Sequence, residues 1–155
     1  MTADKAQTFA ALHKPGAPLI LFNAWDAGSA RAVAEAGAAA IATGSWSVAA
    51  AHGLHDAEAL PIELALANAS RIAGAVDLPV TIDFEGGYAA EPAALAVNAA
   101  ALSATGAIGC NFEDQVIGAQ TRMLHPIDVQ VTRIKAMRRA VGDHFFINAR
   151  TDIFL

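Results

Sequence analysis

Short apolar runs of strand type alternate along this sequence with longer stretches of helical periodicity, and glycine punctuates the joints. The strand runs are Leu19-Ile20-Leu21-Phe22, Ala38 to Ala42, the run after Pro79, Ala107 to Phe112, and Phe145 to Arg150. Helices are expected at 3–13, closed by Lys14-Pro15-Gly16, and after Trp25, where Asp26 or Ser29 serves as cap and Gly37 as stop. Three more are expected: from Pro61 to Ala73 with a stop at Gly74, from Glu91-Pro92 to Ala104, and from Pro126 to Val141. In the last, Ile127, Val131, Ile134 and Met137 recur at helical spacing. A weak echo, Ala36-Gly37-Ala38 against Thr105-Gly106-Ala107, marks two equivalent joints.

Such alternation requires a parallel sheet with right-handed crossovers, either a doubly wound sheet or a (β/α)8 barrel. No G-x-G-x-x-G follows the first strand to favour a dinucleotide fold. Polar residues cluster after the strand ends: Asn23 and Asp26, Ser45 and Ser47, Asp83 and Glu85, Glu113 and Asp114, Arg150 and Asp152. In a barrel those carboxyl ends converge on one mouth, so the (β/α)8 TIM-barrel type is the expected fold.

With 155 residues, one domain spanning 1–155 is expected. A net charge of −5 and the lack of a Lys/Arg cluster beyond Arg138-Arg139 argue against nucleic acid or an anionic membrane as partner. The amino terminus lacks the layout of a signal peptide, and the alanine-rich 38–51 run is too short to span a bilayer. The single cysteine, Cys110, excludes an internal disulfide and reads as a small buried residue, so a cytoplasmic location is expected.

Pro79-Val80-Thr81-Ile82-Asp83-Phe84-Glu85-Gly86-Gly87-Tyr88 is the stretch richest in chemistry. Alternation along a strand puts Asp83 and Glu85 on one side and Phe84 on the other. Two carboxylates in one small volume repel unless a cation, a proton or a basic side chain compensates them, and hard oxygen donors suit Mg2+ or Mn2+. The alternative is a strand end whose acids face water. Asp56 has two readings as well, a metal ligand or a cap of the turn before Pro61. His52, His55 and His125 share no metal-ligand spacing and are given no role.

Five motifs in order, Asn23-Ala24-Trp25-Asp26, Gly44-Ser45-Trp46 leading to Gly53-Leu54-His55-Asp56, Asp83-Phe84-Glu85-Gly86-Gly87-Tyr88, Asn111-Phe112-Glu113-Asp114 and Asn148-Ala149-Arg150-Thr151-Asp152, resemble the isocitrate lyase/phosphoenolpyruvate mutase superfamily over nearly the whole chain. The resemblance implies a barrel enzyme that makes or breaks C–C or P–C bonds beside a 2-oxo acid with Mg2+ (or Mn2+), through an enolate. It implies Asp83 as direct metal ligand, with Glu85, Glu113 and Asp56 holding the metal directly or through its waters. Ser45 and Trp46 correspond to the pair whose amides bind the substrate carboxylate. Arg150 corresponds to the arginine that steadies substrate oxygens, which with Glu113 makes the expected catalytic pair; a structural ion pair from Arg150 to Glu113 or Asp152 is the alternative.

The loop Gln115 to His125 departs from the pattern, with neither the Lys-Lys-Cys-Gly-His of the lyases nor the Lys-Thr-Asn-Ser of the mutases. Cys110 lies before the acids and cannot substitute. The expectation is an unspecialised branch, not an isocitrate or methylisocitrate lyase: a lyase acting on a small 2-oxo or 2-hydroxy acid. The alternatives are a phosphonopyruvate-type mutase or hydrolase, or a non-catalytic ligand-binding barrel. Five strands also fall short of eight, so the chain is expected to be the amino-terminal portion of a longer barrel, inactive alone and a homo-oligomer at full length.

Overall fold

The computed structural model describes residues 2–119 and 123–153. Gln120, Thr121 and Arg122 of the 115–125 loop lie outside the described residues, as do Phe154 and Leu155. The elements run α1 (Thr2–Leu12), β1 (Asn23–Ala24), α2 (Ala27–Glu35), β2 (Ile41–Thr43), α3 (Ser45–Ala51), α4 (Ile62–Ala75), β3 (Val80–Asp83), α5 (Pro92–Ser103), β4 (Gly109–Glu113), α6 (Ile127–Val141) and β5 (Phe146–Arg150).

All four strand pairings are parallel, and the spatial order β1-β2-β3-β4-β5 is the order of the chain. A doubly wound sheet reverses direction at a switch point. This sheet does not, and winds one way as a barrel wall does. Every carboxyl end therefore lies at one rim. Helices cover the outer face, where Ile41, Ile82, Phe84, Cys110 and Phe112 meet Ile72, Leu95, Leu102 and Met137 in one buried cluster. Each large apolar side chain withdrawn there contributes about 1.5–3 kcal/mol. Burial pushes the Cys110 thiol up to about 12, consistent with an inert packing residue. A second cluster places Ala6 and Phe9 of α1 against Ala40 and Ile108, at the amino ends of the strands, where Phe9, His13 and Phe146 make a three-ring contact.

Two glycines are fixed by close approach. A Cβ on Gly109 would lie 2.5 Å from the Phe146 carbonyl oxygen, so β4 and β5 pair this closely only without one. Gly87 has φ +81°, and a Cβ there would collide with Leu95 and lie 3.1 Å from Phe112.

The elements depart from expectation in four places. Leu19 to Phe22 is not strand; β1 is two residues long, because only β2 offers it a ladder among the described residues, and Ile20 and Phe22 are 74% and 61% exposed. The segment expected as a loop at Thr43 to Ser47 enters α3 at Ser45, where three consecutive alanines sustain a helical turn. Gly74 does not stop α4, which runs to Ala75 before Val76 turns extended. On α6, Ile127 and Val131 are exposed, and the buried stripe is Gln130, Arg133 and Met137. Asp26, one of the two expected caps, is the N-cap of α2, with Ser29 completing a reciprocal capping box. No helix among the described residues is long and apolar enough to cross a membrane.

Candidate active site

The carboxyl rim brings together Asp83 from β3, Glu85 from the turn behind it, Glu113 from β4 and Arg150 from β5. Asp83 reaches the site by strand alternation, as expected. Glu85 does not, because β3 ends at Asp83 and Glu85 sits in a left-handed turn at φ +49°. A backbone hydrogen bond, Glu113 N–H to Glu85 carbonyl at 2.9 Å, ties the two acid-bearing segments together.

Each acid has its own neighbours. Asp83 Oδ2 accepts from the Ser45 amide at 3.0 Å, while its Oδ1 is buried without a hydrogen-bond partner. Glu85 Oε2 accepts from the Glu58 amide at 2.8 Å. Glu58 returns the contact across the same gap, its Oε1 accepting from the Tyr88 amide at 2.7 Å. Glu113 forms an ion pair with Arg150 Nη2, and Arg150 Nε donates to Asp152 Oδ1 at 3.1 Å. The Asp152 amide in turn donates to Asp114 Oδ1 at 2.9 Å, which makes Asp114 a support for the arginine loop.

Negative charge exceeds positive charge here. Burial, reinforced by the charges of Asp56, Glu58 and Asp83, pushes Glu85 up to about 7 against the amide bond from Glu58. Glu113 is also raised, chiefly by burial and then by Asp83, with Arg150 pulling the other way. Burial thus favours the protonated forms of two acids beside a carboxylate oxygen without a partner, an arrangement that a cation would relieve. Hard oxygen donors of this kind fit Mg2+ or Mn2+. Among the described residues, however, no group of three or more His, Cys, Asp or Glu is already placed to hold a metal ion, because Glu85 and Glu113 are turned toward Glu58 and Arg150. A cavity of about 20 Å3 beside Ser45, Asp83, Glu85 and Tyr88 has room for one water-sized particle.

The remaining expected residues divide. Ser45 lies in the site, but its amide is engaged by Asp83; Trp46 is 70% exposed. Asp56 is exposed and stands off the cavity, acting on Glu85 only through its charge. Arg150 makes ion pairs to both Glu113 and Asp152. Sequence reasoning missed Glu58, Tyr88, Gln130 and Arg133. Glu58 and Tyr88 sit at φ +58° and +57°. Non-glycine residues in that region are uncommon and cluster at functional sites, but no side-chain pattern announces them.

A one-way parallel sheet with acids and an arginine at its carboxyl rim is the architecture of a (β/α)8 barrel wall, and comparison with known proteins agrees. The chain belongs to the phosphoenolpyruvate phosphomutase family, whose profile matches residues 9–155, within the phosphoenolpyruvate mutase/isocitrate lyase superfamily. It is 33% identical over 147 residues to an uncharacterised Mycobacterium tuberculosis protein, covering 95% of this chain and 54% of that one. It is 49% identical to a Burkholderia cenocepacia J2315 protein assigned provisionally as a phosphonomutase, at TM-score 0.93, covering 99% of this chain and 61% of that one. A 2,3-dimethylmalate lyase is 29% identical at TM-score 0.82, covering 96% of this chain and 52% of its own. Solved superfamily neighbours include mutases, lyases and hydrolases. The chain spans about half the length of the curated relatives it matches.

Proposed function

We propose that this chain supplies the acid-and-arginine rim of a Mg2+- or Mn2+-dependent lyase that breaks a C–C bond in a small 2-oxo or 2-hydroxy carboxylic acid. The observation that carries the reading is the convergence of Asp83, Glu85 and Glu113 with Arg150 at neighbouring strand ends, where burial leaves carboxylates under-compensated. The bound cation would supply Lewis-acid polarisation of the substrate's oxo oxygen. Asp83 would hold it through its unpartnered oxygen, with Glu85 and Glu113 in support and Asp56 contributing from the rim. Arg150, aligned by Asp152, offers a planar fork to substrate oxygens and offsets negative charge that gathers there as the bond breaks. Ser45 and Trp46 open α3 beside Asp83, where the Ser45 amide would exchange Asp83 Oδ2 for the substrate carboxylate and the Trp46 amide would join it. The five strands and their helices would form the amino-terminal portion of a longer barrel, a reading supported by the share of each relative that they cover.

The second reading, a phosphonopyruvate-type mutase or hydrolase, is favoured by the 49% identity to the Burkholderia protein. A product assay on the intact protein separates the two. Pyruvate or another 2-oxo acid with a second carbonyl or carboxylic fragment, formed only with Mg2+ or Mn2+, marks the lyase. Rearrangement or hydrolysis of a phosphonate marks the alternative. Metal-independent binding of 2-oxo acids without turnover would sink both and leave a non-catalytic barrel.

A further inference from the structure

Behind the two glutamates, on the sheet-facing side of α6, Gln130 and Arg133 are 9% and 1% exposed. Arg133 Nη2 donates to the carbonyl of Gly86 at 2.5 Å and to that of Ala89 at 3.1 Å, so one guanidinium spans the turn that follows Glu85. Its Nη1 donates to Gln130 Oε1 at 2.6 Å, and Gln130 Nε2 donates to the carbonyl of Glu113 at 3.0 Å. The Glu113 amide completes the circuit on the Glu85 carbonyl at 2.9 Å. The guanidinium lies over the Phe112 ring, 4.9 Å from its centroid. A buried arginine is costly to leave unsatisfied, and here three oxygens from two segments, the Gly86 and Ala89 carbonyls and the Gln130 side chain, meet its two terminal nitrogens, while its Nε has no partner. Such a group does not drift. Arg133 ties the segment after Glu85 to α6, and Gln130 ties the Glu113 segment to the same helix.

We propose that Gln130 and Arg133 are positioning residues that fix the spacing of Glu85 and Glu113 and thereby select a small divalent cation, Mg2+ or Mn2+, over a large one such as Ca2+. The selectivity rests on the metal reading given above; the positioning does not. Mg2+ demands near-octahedral geometry at short distance, whereas Ca2+ accepts more ligands in a looser shell, so two backbones held at fixed spacing would favour the former once Glu85 and Glu113 turn from Glu58 and Arg150 to the ion. Residues that orient metal ligands typically cost 10- to 100-fold in affinity when changed.

The test uses the intact, metal-free protein and two variants. Arg133→Lys keeps the charge but loses the fork. Gln130→Glu keeps the acceptor for Arg133 but loses the donor to Glu113. Calorimetric titration with Mg2+ and with Ca2+ should show each cooperatively melting variant losing about 10-fold or more in Mg2+ affinity, with a smaller loss for Ca2+. Amide exchange in the metal-free state should quicken at Gly87 and Tyr88 in Arg133→Lys, and at Glu113 in Gln130→Glu. An unchanged Mg2+/Ca2+ ratio in folded variants overturns the selectivity, and unchanged exchange overturns the positioning. If the unsubstituted protein binds neither cation, the metal reading and the selectivity fall together, while the exchange rates still decide whether the pair holds the two acids.

Discussion

Asp83 and Asp114 differ in one respect that matters. Asp83 presents a buried, unpartnered oxygen, whereas Asp114 already supports the Asp152 amide. Asp83→Asn in the intact protein should therefore weaken Mg2+ binding about 100-fold by titration, with a much smaller change in Asp114→Asn. Equal curves for the two would remove Asp83 from the metal site. Arg150→Lys should lower kcat/KM by roughly 100-fold while leaving the melting transition cooperative, since an ammonium cannot present two parallel donors to Glu113, Asp152 and a substrate at once. Full turnover in that variant would make the arginine structural.

At the scale of elements, Gly87→Ala should destabilise by about 2 kcal/mol or more in chemical denaturation, because it combines a left-handed φ with a collision against Leu95. A variant within experimental error of the parent would mean that the turn shifts freely. What the sequence disclosed follows the same division between local and long-range causes. Strand runs, caps and glycine stops are written in neighbouring residues, so the alternation, the Asp26 cap and the acids at strand ends were all legible. The Leu19 to Phe22 run misled because a strand requires a ladder, and only Asn23 and Ala24 have one. Ile127 and Val131 misled because an apolar stripe on α6 outweighed Arg133, whose oxygen partners belong to the turn at 86–89 and to Gln130. Glu58 was invisible for a similar reason: its amide and carboxylate answer Glu85 and Tyr88 some thirty residues onward.

For the molecule as a whole, the crowding of acids has a sign in pH. Glu85 rises from an ordinary value of 4.5 to about 7 on folding. Below about pH 4.5 it is protonated in both states and makes no difference; as pH climbs toward about 7 the unfolded chain sheds the proton first, and folding loses stability on the order of 3 kcal/mol. The metal-free protein should thus melt at a lower temperature near pH ~8 than near pH ~5. Glu85→Gln should flatten that slope, and Mg2+ should raise the melting temperature most at the alkaline end, where it no longer competes with protons. A profile equally steep in Glu85→Gln would assign the slope to other groups. The packing of α1 under the amino ends of the strands bears on traffic. With Phe9, His13 and Phe146 packed together at the amino ends of the strands, α1 covers that end of the sheet, and the acids stand at the opposite rim. In the lyase proposed above, two fragments formed at that rim would leave by one side in turn, the shallower ahead of the deeper. The fragment held longest should compete with fresh substrate, and the one released first should inhibit without competing.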